Sequence, residues 1–325
     1  MTDHRTKQSD YRSWCSDVIW SGAVHHPRVR FHTPPLFHDP PRFFMHISGQ
    51  TRVFMVIGDP VAQVRAPALF NRIFARHDID AVLVPAHVPA GRAASFAREV
   101  LGSGSIAGLW ATVPHKPALL AALSGIDVHG RRAGSVNAVR RAADGTLEGA
   151  LFDGLGLVGA LAHHGIALTG RRVLLLGAGG AGAAIAAALL DTAIARLSIH
   201  DLGDRAERLV ERLQAECPRP RLQCASADPV GHDLIIQATP LGMRREDPLP
   251  LDVERIEPGT QVFDILMKSA TTPLTRACAA RGLEAHPGFE MLVQQVPAYL
   301  EFFGMPEVAR AMRADLSGVR DAVAA

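Results

Sequence analysis

The chain has 325 residues, 48% of them hydrophobic and 20% charged, with a formal net charge of +2. That length accommodates two domains with separate cores, and the composition is that of a folded chain rather than a disordered one. The arginines are scattered rather than gathered in a basic stripe, so no nucleic-acid partner is expected.

The four cysteines, Cys15, Cys217, Cys224 and Cys278, form no CxxC pair. Neither a disulfide framework nor a zinc site is expected, and a reducing, cytoplasmic setting fits. The fifteen histidines occur singly or as adjacent pairs such as His163-His164, with no HExxH spacing, so no metal is expected either.

Residues 1–50 carry Pro27, Pro34, Pro35, Pro40 and Pro41 and show neither helical nor strand periodicity. They read as an extension outside the main fold, partly disordered and without the apolar core of a secretory signal. Met45, just ahead of the first convincing strand, is a candidate natural start.

From there the pattern is regular. Residues 53–57 read as a strand, 67–77 as a helix with Leu69, Ile73 and Phe74 on one face, 81–84 as a strand, 91–101 as a helix and 108–113 as a strand. A second series follows: strand 173–176, helix 180–190, strand 196–200, helix 204–216, then strands at 234–237 and 261–264. From Gly288 onward the chain reads as helical. Alternation of this kind predicts parallel α/β sheets, with ligands at the carboxyl ends of the strands. The apolar run 173–190 is long enough to suggest a membrane span, but its glycines make it a buried strand-turn-helix, and no membrane partner is expected.

Within that run, Gly177-Ala178-Gly179-Gly180-Ala181-Gly182 places GxGxxG between a strand and a helix. The first glycine permits the tight turn, the second admits a pyrophosphate close to the backbone, and the third lets helix and strand pack. Asp201 ends the next strand, 19 positions after Gly182 (201 − 182), where a carboxylate accepts from the ribose hydroxyls of a dinucleotide. A carboxylate there repels a 2′-phosphate, so NAD is favoured. Arg205, four residues on, keeps NADP open.

With these motifs in place, the chain resembles the shikimate/quinate dehydrogenase family from about Val53 to Met305. The resemblance rests on short segments in one order: Gly58-Asp59-Pro60 with Pro67 and Asn71; Thr112-Val113-Pro114-His115-Lys116; Gly134-Ser135-Val136-Asn137; Gly149, Asp153-Gly154 and Gly156; the glycine loop; Ala238-Thr239-Pro240-Leu241-Gly242-Met243; Thr272-Pro273-Leu274; and Gly288 through Gln295. It implies an N-terminal substrate domain of residues 51–153 completed by 288–325, with a parallel-dominated sheet. A Rossmann-type domain of residues 154–287 would bind the nucleotide, and the C-terminal helices would return to the first domain.

The resemblance also implies site residues. Lys116 and Asp153 correspond to the family's catalytic pair. Independently of the match, oxidising a secondary alcohol needs a group to take the hydroxyl proton as hydride leaves. A lysine serves when burial favours its neutral form, and a carboxylate orients it. Asn137, Gln295 and Thr112 are expected to touch the substrate. Thr239, Pro240, Leu241, Met243, Met267 and Gly288 are expected near the nucleotide.

The substrate positions depart from the family pattern in one direction. Val64 and Ala66, flanking Arg65, replace two serines. Gln63 replaces a histidine, Trp110 an asparagine, Leu151-Phe152 an Asn-Thr pair and Met267 a tyrosine. Polar groups are lost and apolar bulk is gained, while the proton-transfer pair and the glycine loop are kept. Losing several hydrogen bonds, each worth ~0.5–1.5 kcal/mol net, predicts poor discrimination in favour of a polyhydroxylated acid. The expectation is an NAD(P)-dependent dehydrogenase for a small cyclic hydroxy acid or related alcohol, working as a monomer or homodimer. Arg65 supplies a new carboxylate grip on one reading and is merely solvated on the other. Two other functions stay open: a genuine shikimate or quinate dehydrogenase, and a nucleotide-binding regulator without turnover.

Overall fold

The computed structural model describes residues 47–216, 221–267 and 271–324. The expectations about the extension and about a start at Met45 lie almost wholly outside the described residues. Two six-stranded sheets carry the fold.

The first contains β1 (Arg52–Gly58), β2 (Ala81–His87), β3 (Ile106–Ala111), β4 (Gly125–Ile126), β5 (Ala138–Arg141) and β6 (Leu147–Ala150), in the order β2-β1-β3-β5-β6-β4. Its helices are α1 (Ala66–Arg76), α2 (Ala93–Gly102) and α3 (Val128–Ala133). Strand β1 shows why the sheet forms here. Phe54 and Val56 face one core with Phe70 and Trp110, while Ile57 faces the other with Leu109 and Ala111, the period-2 alternation of a strand covered on both sides. Leu69, Phe70, Ile73 and Phe74 bury one face of α1, as the periodicity predicts.

The sheet is parallel-dominated, as expected: β1 pairs parallel with β2 and β3, and β4 with β6, while β3 pairs antiparallel with β5, and β5 with β6. Strands of four residues carry too little alternation to declare themselves. The available signal was the Asp144-Gly145 pair in the connecting turn, where Gly145 adopts φ +87.

Helix α4 (Asp153–His163) links the sheets. A Cβ on Gly154 would lie 2.1 Å from the Ala184 carbonyl oxygen, and one on Gly156 would lie 2.4 Å from that of Met291. These bare positions let α4 pack against helices on both sides. The expected division at residues 153/154 therefore falls in the first turn of a helix that touches both parts.

The second sheet is wholly parallel: β7 (Arg172–Leu176), β8 (Arg196–His200), β9 (Arg221–Cys224), β10 (Leu234–Gln237), β11 (Gln261–Asp264) and β12 (Ala285–Pro287), in the order β12-β11-β10-β7-β8-β9. This is the doubly wound Rossmann order, and its switch point lies between β7 and β10. Helices α5 (Gly180–Leu189), α6 (Arg205–Glu216) and α7 (Pro273–Ala280) accompany it. The apolar run resolves into β7 and the ten-residue α5, and among the described residues no helix is long and apolar enough to cross a membrane. The chain ends in α8 (Phe289–Phe302), α9 (Pro306–Ala314) and α10 (Ser317–Ala324). Val293, Val296, Tyr299 and Leu300 of α8 bury themselves in the first sheet's core beside Phe54 and Trp110, so the C-terminal helices do return to it.

Candidate active site

Three sequence-nominated residues meet at the carboxyl end of β3. Lys116 follows the turn after that strand, and its carbonyl oxygen accepts from Val136 N at 3.1 Å, tying it to the segment that carries Asn137. Asn137 is itself pinned by its backbone: its N donates to Ala150 O at 2.9 Å and its O accepts from Ala111 N at 2.8 Å. Asp153 is the first residue of α4, where a helix N-terminus favours a carboxylate.

The side chains form a continuous chain of hydrogen bonds. Lys116 Nζ donates to Asp153 Oδ2. Asn137 Nδ2 donates to Asp153 Oδ1 at 3.1 Å, and Asn137 Oδ1 accepts from Phe152 N at 3.1 Å. The lysine and aspartate side chains keep 15% and 11% of their surface, so the pair is sheltered yet reachable. Asn137, only 1% exposed, has both ends of its amide engaged within the protein. It therefore orients the aspartate.

The other expected substrate residues have the following surroundings. Gln63 Nε2 donates to Pro60 O at 2.9 Å within its own turn. Gln295 is buried and donates to Met291 O at 3.2 Å one turn back on α8, its stem packed where a Gly156 Cβ would be. Trp110 lies in the core at 3% exposure, stacked on Phe303 with centroids 4.2 Å apart, and its Nε1 is enclosed without a partner. Val64 and Ala66 pack against the same core, and the Thr112 methyl packs under Gly58. Arg65 is exposed at the start of α1, its guanidinium 5.5 Å from the centre of the Phe289 ring at the start of α8.

A residue that sequence reasoning passed over lies one turn beyond Gln295. Tyr299 is 6% exposed and packs edge-on against Phe152, the neighbour of Asp153, at 4.9 Å. Burial and the Asp153 charge hold its phenol well above the usual range, so it stays protonated. The i, i+4 spacing from Gln295 on a helix was the available signal.

The nucleotide motif has the geometry its glycines require. Gly177 adopts φ +101, and a Cβ on Gly182 would lie 1.9 Å from the Gly177 carbonyl oxygen. Gly179 caps α5, and a Cβ on Gly179 or Gly180 would meet nothing within 4 Å, leaving open space over the helix N-terminus. A pyrophosphate fits there, against free N–H groups and the positive end of α5. Asp201 Oδ2 accepts from Ala178 N at 2.7 Å and Oδ1 from Leu202 N at 2.6 Å, so the carboxylate is fixed beside the loop with lone pairs to spare. Arg205 Nη1 lies 3.8 Å from Asp201 and is largely exposed. Ala181 is partly buried beside Gly182.

Across the switch point, the loop after β10 is held by a residue the sequence reading missed. Gln237, fully buried, accepts from Thr239 N at 2.8 Å and donates to Thr239 O at 3.1 Å and Leu241 O at 3.0 Å. Pro240 and Met243 ride on that loop, with Met243 half exposed. Met267 packs partly against the second sheet's core, and Gly288 passes so close to Ile265 that a Cβ would lie 2.5 Å from its carbonyl. Gly288 thus has a packing reason for its identity, besides any nucleotide contact.

Comparison with known proteins agrees with this architecture. A family model described as the shikimate dehydrogenase substrate binding domain matches residues 56–139. The chain is 38% identical over 282 residues to the shikimate dehydrogenase (NADP(+)) of Acidiphilium cryptum strain JF-5, covering 84% of this chain and 100% of that one. It is 37% identical over 278 residues to the protein of the same name from Rubrobacter xylanophilus, covering 84% and 98%. The solved shikimate 5-dehydrogenase of Thermus thermophilus, in complex with NADP(H) and shikimate, aligns with a TM-score of 0.68 at 27% identity, covering 80% of this chain and 99% of that one. The chain belongs to the shikimate dehydrogenase family of oxidoreductases.

Proposed function

We propose that the protein interconverts a cyclic secondary alcohol and its ketone, with a substrate less hydroxylated than shikimate or quinate. What supports this is the hydrogen-bonded chain of Lys116, Asp153 and Asn137, taken with the apolar Val64, Ala66, Trp110 and Phe152 at positions where the family resemblance leads us to expect polar residues. When bound, a nicotinamide nucleotide supplies the hydride acceptor. Lys116 takes the hydroxyl proton at Nζ as one of its own protons passes to Asp153 Oδ2, and Asn137 fixes the carboxylate from behind. Gly154, next to Asp153, abuts Ala184 of α5, so the proton-transfer pair is anchored on the helix that begins at the glycine loop.

For the nucleotide, we favour NAD. The support is the carboxylate of Asp201, fixed beside the glycine loop, which would repel a 2′-phosphate there; Arg205, largely exposed and 3.8 Å from it, makes no hydrogen bond to it. The relatives named above are NADP(+) enzymes, which supports the second reading: a shikimate dehydrogenase using NADP, with Arg205 released toward the phosphate.

Steady-state assays with both nucleotides and a panel of cyclic alcohols decide between these. A kcat/KM of ~10⁴ M⁻¹s⁻¹ or more on shikimate establishes the second reading. On the substrate that turns over best, Lys116→Ala is expected to lower kcat by ~10²–10⁴-fold with nucleotide affinity unchanged. A fully active Lys116→Ala removes the lysine from the mechanism. Nucleotide binding without turnover of any alcohol would leave the regulator as the surviving function.

A further inference from the structure

The loop after β10 differs from the glycine loop in what it leaves open. Ala238 N donates to Leu176 O at 2.7 Å, Thr239 N to Gln237 Oε1 at 2.8 Å and Leu241 N to Thr239 Oγ1 at 3.1 Å. Gly242 N and Arg244 N donate to Asp247 Oδ2 at 3.0 and 2.9 Å, and Met243 N donates to Pro240 O at 3.1 Å. Proline has no N–H, so every backbone donor from Ala238 to Arg244 is spent inside the protein. Such a loop has no N–H to give an anion. What it offers a ligand is a fixed shape.

Gln237 sets that shape. It ends β10 with its side chain fully buried, and besides accepting from Thr239 N it donates to Thr239 O at 3.1 Å and Leu241 O at 3.0 Å. One side chain thus fixes three backbone groups of the loop before any nucleotide arrives. Without the amide, those groups would turn to other partners, and ordering the loop again would be charged to ligand binding.

The loop lies along the crevice. A Cβ on Gly177 would lie 2.7 Å from Ala238 O and 2.9 Å from Thr239 N, so the loop begins against the glycine loop. A Cβ on Gly242 would lie 3.1 Å from Leu266 Cδ1, so its far part meets the segment after β11. Asp201, after β8, is on the other side of the switch point. A dinucleotide laid across that point with its adenosine at Asp201 carries its nicotinamide half to the β10 side.

We propose that Gln237 is a positioning residue for the nicotinamide half of the nucleotide, acting through the loop Ala238–Met243 and leaving the adenosine half untouched. The inference rests on a nucleotide lying across the switch point. It does not depend on the substrate or on the NAD preference proposed above.

The test is calorimetric binding to the full chain of NADH and of ADP-ribose, which lacks the nicotinamide, with NADPH and 2′-phospho-ADP-ribose run in parallel. Wild type is expected to bind the whole dinucleotide about tenfold more tightly than its truncated partner. In Gln237→Met the dinucleotide is expected to weaken by about tenfold while the truncated ligand holds its Kd, so that the gap closes. Thr239→Val, which removes only the acceptor of Leu241 N, is expected to narrow the gap by roughly two- to threefold, and it decides alone if Gln237→Met does not fold. A purely structural role would weaken both ligands by the same factor, and that result would overturn the proposal. So would unchanged affinities in the variants, or a wild type with no gap to close. Failure of the underlying site reads differently: neither dinucleotide and neither truncated ligand would bind wild type.

Discussion

At the nucleotide end, the groups that await a ligand are backbone N–H groups from one continuous stretch at the start of α5, Gly179 to Gly182, with a single side chain, Asp201, fixed beside the loop. At the substrate end the corresponding group is Lys116 Nζ, held by side chains from two distant segments: Asp153 opening α4, and Asn137 before β5 behind it. The first construction is local and built of glycine, so its recognition follows from backbone shape. The second is non-local and built of side chains, so a change at one position alters what the whole wall can bind. Chemistry can therefore be kept while specificity drifts, because the proton-transfer pair is anchored to strand ends and a helix start whereas the wall is only packing.

The sharpest way to break this comparison is at Asn137. Asn137→Ala would leave Phe152 N and one oxygen of Asp153 without partners in a buried setting. Hydrogen bonds to charged groups are worth ~1.5–3 kcal/mol, so kcat is expected to fall ~10–100-fold with nucleotide affinity intact. Rapid-mixing or steady-state kinetics would show it. A kcat within about twofold of wild type would mean that the aspartate needs no such support.

The opposite pattern is expected at Gly182. A methyl group 1.9 Å from the Gly177 oxygen must push the loop off α5. Gly182→Ala should weaken nucleotide binding in calorimetry and lower stability by ~1–3 kcal/mol in denaturant titration, the usual cost of overpacking. Unchanged nucleotide affinity would show that the loop has slack.

The smallest effect serves as a control away from both ends. Asp233 receives Arg172 through its backbone N at 2.8 Å and its guanidinium at 2.7 Å, and that guanidinium draws the carboxyl down to about 2. A depressed carboxyl adds stability that is complete above its unfolded pKa of ~3.9 and fades as pH falls through the folded value. Asp233→Asn should therefore lower Tm slightly at about pH 6, the difference shrinking as pH drops from about 4 toward 2, with catalysis untouched. A gap that widened on acidification would contradict the assignment. The pair is partly exposed, and solvent screening keeps the effect small.

Much of this architecture was legible in the amino-acid order. The period-2 and period-3.6 patterns, the glycine loop and the acidic strand end each act within about 20 residues, where sterics and burial leave few alternatives. Lys116 and Asp153 were legible as a pair only through resemblance, since nothing in their 37-residue separation says that they meet. Three matters were decided by tertiary packing alone. Asn137 faces the aspartate because two strands fix its backbone on both sides. Trp110 is sealed beneath other rings because α8 returns across the sheet. Tyr299 is packed among Phe70, Trp110 and Phe152 for the same reason. Local order sets the elements and the motifs that close on themselves. Which polar groups meet, as Lys116, Asn137 and Asp153 do, depends on neighbours far away in the chain.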